Sequence, residues 1–316
     1  MNLSRNFIAM IQVHRAVTGR RSGVLAIAAG LILAVSPAAA SPEVVASIAP
    51  IHSLVSSVMV GVAAPGLLLP GGASPHSYAL KPSDARRLAS AELIVAVGPT
   101  LESFLEKPLA HLARNARIVM LTRDAPIDLL ASSADRPGHT DDPAGANPHI
   151  WLSPHNAVRI VEHVATVLGE IDPGNRERYR INALATTIRL RKLDRLLEST
   201  LAPVRDMPFM VSHDAYAYFV ARYRLNMVGA FHRTPEMAPG ARHLAALRAR
   251  MKRLGVRCVF SEPQFASRTV AASLRWAGVR SAVLDPLGLD ITPGPGAYES
   301  LMRRLAAALA GCLTVR

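Results

Sequence analysis

The sequence predicts an α/β protein of two similar lobes, each a parallel β-sheet with flanking helices, joined by one long rigid helix. Short, fully apolar runs alternate with helix-like segments, as is typical of parallel sheets buried on both faces. The alternation resumes after residue 203. Between the two series, neither Gly nor Pro interrupts the helical pattern of residues 175–202, which predicts a rigid connector.

The first lobe is predicted to span residues 41–171. Ser83 is predicted to cap a helix ending at Ala91, and Ser153 with Pro154 to begin a helix ending near Leu168. A further helix is predicted over 51–60, and a turn-rich stretch over 132–148. The apolar runs of this lobe are residues 44–49, 66–69, 93–97 and 118–121.

The connecting helix is predicted over 172–202 and the second lobe over 203–316. Apolar residues of the connector recur at helical spacing, among them Ile181, Leu184, Ile188 and Leu193. Strands of the second lobe are predicted at 209–211, 227–231, 256–260 and 282–284, and helices at 215–223, 241–254 and 267–278.

Residues 1–40 have the composition of a signal peptide. They contain four Arg and no acidic residue, followed by an apolar run from Val24 to Val35 and the small residues Ala38-Ala39-Ala40. The apolar run is too short to span a bilayer as a helix, which argues against the alternative of a membrane anchor. We expect cleavage after Ala40 and export to the periplasm.

Composition narrows the class of protein. With 50% hydrophobic residues the chain can build a core, and two Cys are too few for a disulfide-dense scaffold. The net charge of +13 falls to +9 without the signal. The remaining basic residues form no cluster interleaved with aromatics, so we expect no nucleic-acid partner.

Export would place Cys258 and Cys312, which both lie in the mature chain, in an oxidising compartment. Two cysteines in an oxidising compartment are expected to pair. Two buried free thiols are the alternative that the residues themselves leave open.

Three His residues share a context. His76 follows a predicted strand, His149 precedes a capped helix, and His213 ends a strand. Ligands of open parallel sheets collect beyond the carboxyl ends of the strands, and three imidazoles suit Zn²⁺. Asp285, at a strand end like His213, is the preferred fourth ligand, with Glu262 or water as alternatives.

Five segments, in order along nearly all of the mature chain, resemble the metal-specific solute-binding proteins of ABC transporters, most closely their periplasmic zinc-binding members. They are Leu69-Pro70-Gly71-Gly72-Ala73-Ser74-Pro75-His76-Ser77-Tyr78 with Lys81-Pro82-Ser83-Asp84, Asn147-Pro148-His149-Ile150-Trp151-Leu152-Ser153-Pro154, Ser212-His213-Asp214-Ala215-Tyr216, Phe260-Ser261-Glu262-Pro263-Gln264-Phe265 and Leu284-Asp285-Pro286-Leu287-Gly288.

The resemblance implies a metal site in the cleft between the lobes, with His76, His149 and His213 as ligands and Asp285 as a possible fourth. It also implies a disulfide between Cys258 and Cys312. His213 stands where manganese-binding members have a carboxylate, which favours zinc. Two departures are Pro75 before the first ligand and a short loop that offers only Asp135, His139, Asp141 and Asp142.

The expected function is capture of Zn²⁺ in the periplasm and delivery to the membrane permease of an ABC importer, by a monomer with no catalytic activity. One alternative is a manganese or iron receptor of the same family. The other is an exported zinc hydrolase, in which Glu262 would be the general base. No H-E-x-x-H signature supports the hydrolase.

Overall fold

The fold is described from a computed structural model. The predicted class is confirmed: two four-stranded parallel sheets carry flanking helices, and a long helix lies between them in sequence. The boundaries 41–171, 172–202 and 203–316 stay a prediction. The model describes residues 41–131, 145–232, 240–265 and 279–314. The predicted signal (1–40), the four loop residues (Asp135, His139, Asp141, Asp142) and the helix at 267–278 lie outside these ranges.

The first sheet belongs to the N-terminal lobe. Its strands run parallel in the order β2-β1-β3-β4. The central strands β1 and β3 are buried along their whole length, which explains their uninterrupted apolar sequence. The strands are β1 (Val44–Ala46), β2 (Gly66–Leu67), β3 (Leu93–Ala96) and β4 (Arg117–Met120).

The helices of this lobe are α1 (Ala49–Val58), α2 (Pro82–Ser90), α3 (Glu106–Leu112), α4 (Leu121–Asp124) and α5 (Pro154–Ile171). The predicted cap of α5 is confirmed, since the Ser153 hydroxyl accepts the backbone N–H of Asn156. The predicted cap at Ser83 is wrong. The N-cap of α2 is Lys81, two residues earlier, and the Asp84 carboxylate accepts the N–H of Lys81.

The second sheet repeats the topology of the first. Its strands run parallel in the order β6-β5-β7-β8, so each sheet places its first and third strands at the centre. The strands are β5 (Phe209–Val211), β6 (Met227–Ala230), β7 (Cys258–Ser261) and β8 (Arg280–Val283). With them lie the helices that follow α6 (Arg176–Leu201), namely α7 (Ala217–Tyr223), α8 (Ala241–Leu254) and α9 (Ala297–Thr314).

Helix α6 is the predicted connector. Its 26 residues span about 39 Å, and it packs against α5, α1 and α9. Leu193 is buried as expected, whereas Ile181, Leu184 and Ile188 are 48%, 55% and 60% exposed. These three aliphatic residues of the first half thus face solvent, and Tyr179, Ala183, Thr186 and Thr187 face the core. Within the described residues, no helix is long and apolar enough for a membrane crossing.

A disulfide joins Cys258 of β7 to Cys312 of α9, so the predicted pairing is confirmed. The bond closes a loop over a sequence separation of 54 residues and ties the last helix to a central strand of the second sheet.

Replacing both Cys258 and Cys312 by Ala should lower the free energy of unfolding by about 2–4 kcal/mol, because a loop of this length restricts the unfolded chain. Urea unfolding of the variant and of the unaltered protein measures the difference. Reducing the unaltered protein should reproduce most of the loss. Equal stability of oxidised and reduced protein would show that the bond does not stabilise the fold.

Glu102 is the other buried group with a large expected effect on stability. Its side chain is 1% exposed, just beyond β3, and its Oε2 accepts the N–H groups of Val97 and Gly98 at 2.8 and 3.1 Å. Burial raises the pKa of this carboxyl to about 7, and the Ser47 side chain and the two backbone donors oppose the rise only in part.

Because the folded-state pKa lies above the ordinary value, the folded protein holds a proton that the unfolded chain releases. The stability that Glu102 contributes is complete below about pH 4.5 and is lost as the pH rises through about 7. The variant Glu102→Gln keeps an acceptor for both N–H groups and cannot ionise. Between pH 4.5 and 8, urea unfolding should show the unaltered protein losing roughly 3 kcal/mol relative to this variant. A constant difference would place the pKa near its ordinary value.

Candidate metal centre

The three predicted His ligands follow from three separate connections. His76 lies in the segment between β2 and α2, His149 precedes the short 3-10 turn Ile150–Leu152 that leads into α5, and His213 lies two residues beyond β5. The first two belong to the N-terminal lobe and the third to the C-terminal lobe. As expected for parallel sheets, the connections bring all three rings to one place between the lobes.

The spacing of the rings fits one small metal ion. One ring nitrogen from each His lies within 4.8 Å of the other two, and Nε2 of His149 is 3.3 Å from Nε2 of His213. Two nitrogens about 2.0–2.1 Å from a tetrahedral zinc ion are roughly 3.3–3.4 Å apart. The ring centroid of His76 lies 5.5 and 5.9 Å from those of His149 and His213, so a small shift of His76 completes the set.

A buried carboxylate fixes the orientation of His213. Nδ1 of His213 lies 2.7 Å from Oε1 of Glu262, which follows β7, and both side chains are buried. With the carboxylate oxygen as the acceptor of this bond, Nδ1 of His213 is the donor. Nε2 then presents its lone pair to the other two rings. Carboxylate–histidine pairs of this kind orient metal ligands and raise their basicity.

An amide performs the same task for His149. Oδ1 of Asn147 accepts both Nδ1 and the backbone N–H of His149, at 2.9 and 3.0 Å. The amide cannot be turned around, because its Nδ2 donates to the carbonyl oxygen of Asp214 at 2.8 Å. Nδ1 of His149 is therefore the donor, and Nε2 carries the lone pair.

These two assignments have an electrostatic consequence. Nε2 of His149 and Nε2 of His213 face each other at 3.3 Å. With both Nδ1 atoms acting as donors, each Nε2 can offer a lone pair to a cation placed between them. Borderline-soft imidazole nitrogens suit Zn²⁺ better than Mn²⁺.

Asp285 lies outside this cluster. Among the described residues, the group of ligand-type side chains close enough to share an ion is His76, His149 and His213. Oδ1 of Asp285 accepts the Gln264 amide and the N–H of Leu287, each at 3.0 Å, and Oδ2 accepts the N–H of Leu289. The carboxylate thus orders the loop after β8. Its role as a fourth ligand stays a prediction.

The cavity beside the three rings is very small. Its volume is about 10 Å³, which is room for about one water-sized body. That volume matches a single ion. Its walls are Pro75, His76, His149, Trp151, His213, Glu262, Gln264, Pro286 and Leu287.

Aromatic side chains hold the two lobes together next to this cavity. Nε1 of Trp151 donates to the carbonyl oxygen of Pro286 at 2.8 Å, and the Trp151 carbonyl accepts the Tyr298 hydroxyl at 2.7 Å. Within the C-terminal lobe, Tyr216 donates to the carbonyl oxygen of Leu284 at 3.1 Å, and its burial raises the pKa of the phenol well above 10. These groups are neutral at all working pH values and serve structure.

Comparison with known proteins identifies the family. A family model described as zinc-uptake complex component A, periplasmic, matches residues 44–312. The chain belongs to the zinc-uptake component A family. The resemblance inferred from the sequence segments is thereby confirmed.

This chain is similar to other members of the zinc-uptake component A family over most of its length. The high-affinity zinc uptake system protein ZnuA of Brucella suis is 36% identical over 305 residues, which is 86% of this chain and 91% of that protein. A crystal structure of ZnuA matches with a TM-score of 0.77 at 27% identity, over 87% of this chain and 100% of that one. A zinc-bound deletion mutant of ZnuA matches with a TM-score of 0.75 at 27% identity, over 87% and 99%.

Sequence reasoning missed the second partners of the ligands. The sequence alone offers Glu262 as a fourth ligand or a general base. In the structure, Glu262 is hydrogen-bonded to Nδ1 of His213. Asn147 begins one of the five matching segments, and the sequence alone assigns this residue no role. Its position two residues before His149 is the one local signal that could have revealed it, because a side chain there can reach the N–H of His149.

Proposed function

We propose that the mature protein is a periplasmic receptor that captures Zn²⁺ between its two lobes and delivers it to the permease of an ABC importer. One observation carries the proposal. Three imidazoles from both lobes converge on one point, and two of them are held as the tautomers that a metal requires. The names of the relatives, high-affinity zinc uptake system proteins, support the choice of metal.

We propose His76, His149 and His213 as the zinc ligands, with the fourth position taken by Asp285 or water. Three neutral imidazoles favour zinc over manganese, which prefers carboxylate and water oxygens. A receptor for manganese or iron remains the alternative within the family. Competition between Zn²⁺ and Mn²⁺ for the purified protein decides between them.

The proposed receptor performs no covalent chemistry. A zinc hydrolase needs an open metal position, a general base and room for its substrate. Glu262, the candidate base, is engaged with Nδ1 of His213, and the cavity beside the three rings has a volume of about 10 Å³. We propose further that residues 1–40 direct export and are removed, and that the receptor acts as a monomer without nucleic acid.

The experiment that tests the function is elemental analysis of the protein purified from the periplasm of the expressing cell. We expect one zinc per chain and little manganese or iron. A mature N-terminus at Ser41, read by mass spectrometry of the same sample, would test the proposed cleavage. Protein that carries manganese or iron in stoichiometric amount and no zinc would overturn the assignment of the metal.

A further inference from the structure

Asn147 links a proposed metal ligand to the opposite lobe. The residue is fully buried, and its side chain does two things at once. Oδ1 holds the ring of His149, while Nδ2 donates to the carbonyl oxygen of Asp214 at 2.8 Å. Asp214 directly follows His213, the ligand from the C-terminal lobe. One amide therefore bridges the chain segments that carry two ligands.

The backbone of Asn147 is held from both lobes. Its carbonyl oxygen accepts the hydroxyl of Tyr218, in α7 of the opposite lobe, at 2.8 Å, and its N–H donates to the carbonyl oxygen of Leu130 in its own lobe at 2.8 Å. The Tyr218 oxygen in turn accepts the N–H of Leu130 at 3.1 Å. These bonds are buried or partly buried, where hydrogen bonds are stronger and an unpaired group is costly.

We propose that Asn147 is a positioning residue that couples the orientation of His149 to closure of the cleft, and so sets the rate at which the metal leaves. The proposal rests on the proposed function as a zinc receptor. While the bond to Asp214 is intact, Oδ1 is fixed and the lone pair of His149 stays aimed at the site. When the lobes part, the amide loses its anchor and the ring of His149 is released with it.

An amide is the side chain that meets both demands. Aspartate keeps an acceptor for Nδ1 of His149 and has no donor for the Asp214 carbonyl, which it would face with a second oxygen. Alanine removes both bonds. Asn147→Asp therefore separates the link across the cleft from the support of His149, and Asn147→Ala removes the two together.

The added charge of Asn147→Asp separates the two possible effects of this substitution on zinc release. A carboxylate next to the site attracts Zn²⁺ and raises the basicity of His149, so charge alone predicts slower release of zinc. Faster release from this variant can only follow from the lost donor and the opposed oxygens.

Tyr218→Phe provides a second, independent variant. It removes the hydroxyl that joins Tyr218 to the carbonyl oxygen of Asn147 and changes neither the Asn147 side chain nor a ligand. His111→Ala, on the exposed end of α3, is the matched control for a substitution remote from the cleft.

The experiment loads each full-length mature variant with Zn²⁺ and measures release into an excess of a fluorescent chelator by stopped flow. We expect release about tenfold or more faster for Asn147→Asp, and several-fold faster for Tyr218→Phe. His111→Ala should match the unaltered protein. The double variant Asn147→Asp with Tyr218→Phe should release zinc more slowly than the product of the single effects predicts, because both substitutions weaken one link.

Release from Asn147→Asp at or below the rate of the unaltered protein, with fast release from Asn147→Ala, would overturn the coupling and leave Asn147 as a support for His149 alone. If Asn147→Asp does not fold, as judged by circular dichroism, Tyr218→Phe decides: an unchanged rate overturns the proposal. Failure of the unaltered protein to bind zinc is a different result, and it overturns the proposed function itself.

Discussion

Replacing His76, His149 and His213 together by Ala is expected to abolish high-affinity zinc binding, and each single replacement is expected to weaken it by about 100-fold or more. Zinc sites built from protein side chains bind with about 10–16 kcal/mol, so one ligand of four accounts for roughly 3 kcal/mol. Isothermal titration with Zn²⁺, using a competing chelator to bring the affinity into range, measures the loss.

The matched control for these variants is His111→Ala, whose ring lies on the surface. It should bind zinc like the unaltered protein. Thermal unfolding without metal should change little for His76→Ala. His149→Ala and His213→Ala each leave a buried acceptor without its donor, so both should unfold at a lower temperature. Full-affinity binding of zinc by the triple variant would overturn the assignment of the three ligands.

Replacing Glu262 by Gln is expected to lower the affinity for zinc by about 10–100-fold. The neutral amide still offers an oxygen to Nδ1 of His213, but it no longer fixes which ring nitrogen carries the proton or strengthens Nε2 as a ligand. Glu262→Ala should weaken binding further, because it leaves Nδ1 of a buried imidazole without its acceptor. Zinc titration of both variants gives the order.

A matched control removes a carboxylate of equal charge far from the ligands. Glu299 forms an ion pair with Arg189 at 3.0 Å, and Glu299→Gln should leave zinc affinity unchanged. If Glu262→Gln also binds like the unaltered protein, the carboxylate does not tune His213. Zinc-dependent hydrolysis of an ester or peptide that disappears in Glu262→Gln would instead favour the enzyme.

The strands that the sequence predicted best are those buried on both faces. Residues 93–97 and 209–211 are apolar without interruption, and both became central strands, β3 and β5. Element ends were predicted less well because capping depends on side-chain geometry. At the start of α2, the N–H of Lys81 donates to the Asp84 carboxylate, and Ser83 is not the cap.

Periodicity alone does not tell which face of a helix is buried. In α6 the spacing of Ile181, Leu184 and Ile188 is helical, yet all three are exposed. The packing of α5, α1 and α9 around this helix decides its buried face, and those contacts join residues far apart in the chain.

At the candidate site too, some features follow from the local sequence and others from contacts between residues far apart in the chain. The three His residues that meet at the candidate site could be named from the sequence, and so could the pairing of Cys258 with Cys312. The meeting of His149 and His213 could not be derived from spacing, because 64 residues and the order of two sheets separate them. The pairing of Glu262 with His213 spans 49 residues and required the second sheet.

The central claim is that one zinc ion is held by imidazoles of both lobes. X-ray diffraction from crystals of the zinc-loaded protein, recorded on both sides of the zinc absorption edge, tests it most directly. The account predicts one anomalous peak about 2.0–2.1 Å from a nitrogen of His76, His149 and His213, and the same map decides whether Asp285 or water is the fourth ligand. A zinc peak elsewhere, or one that contacts a single lobe, would contradict it.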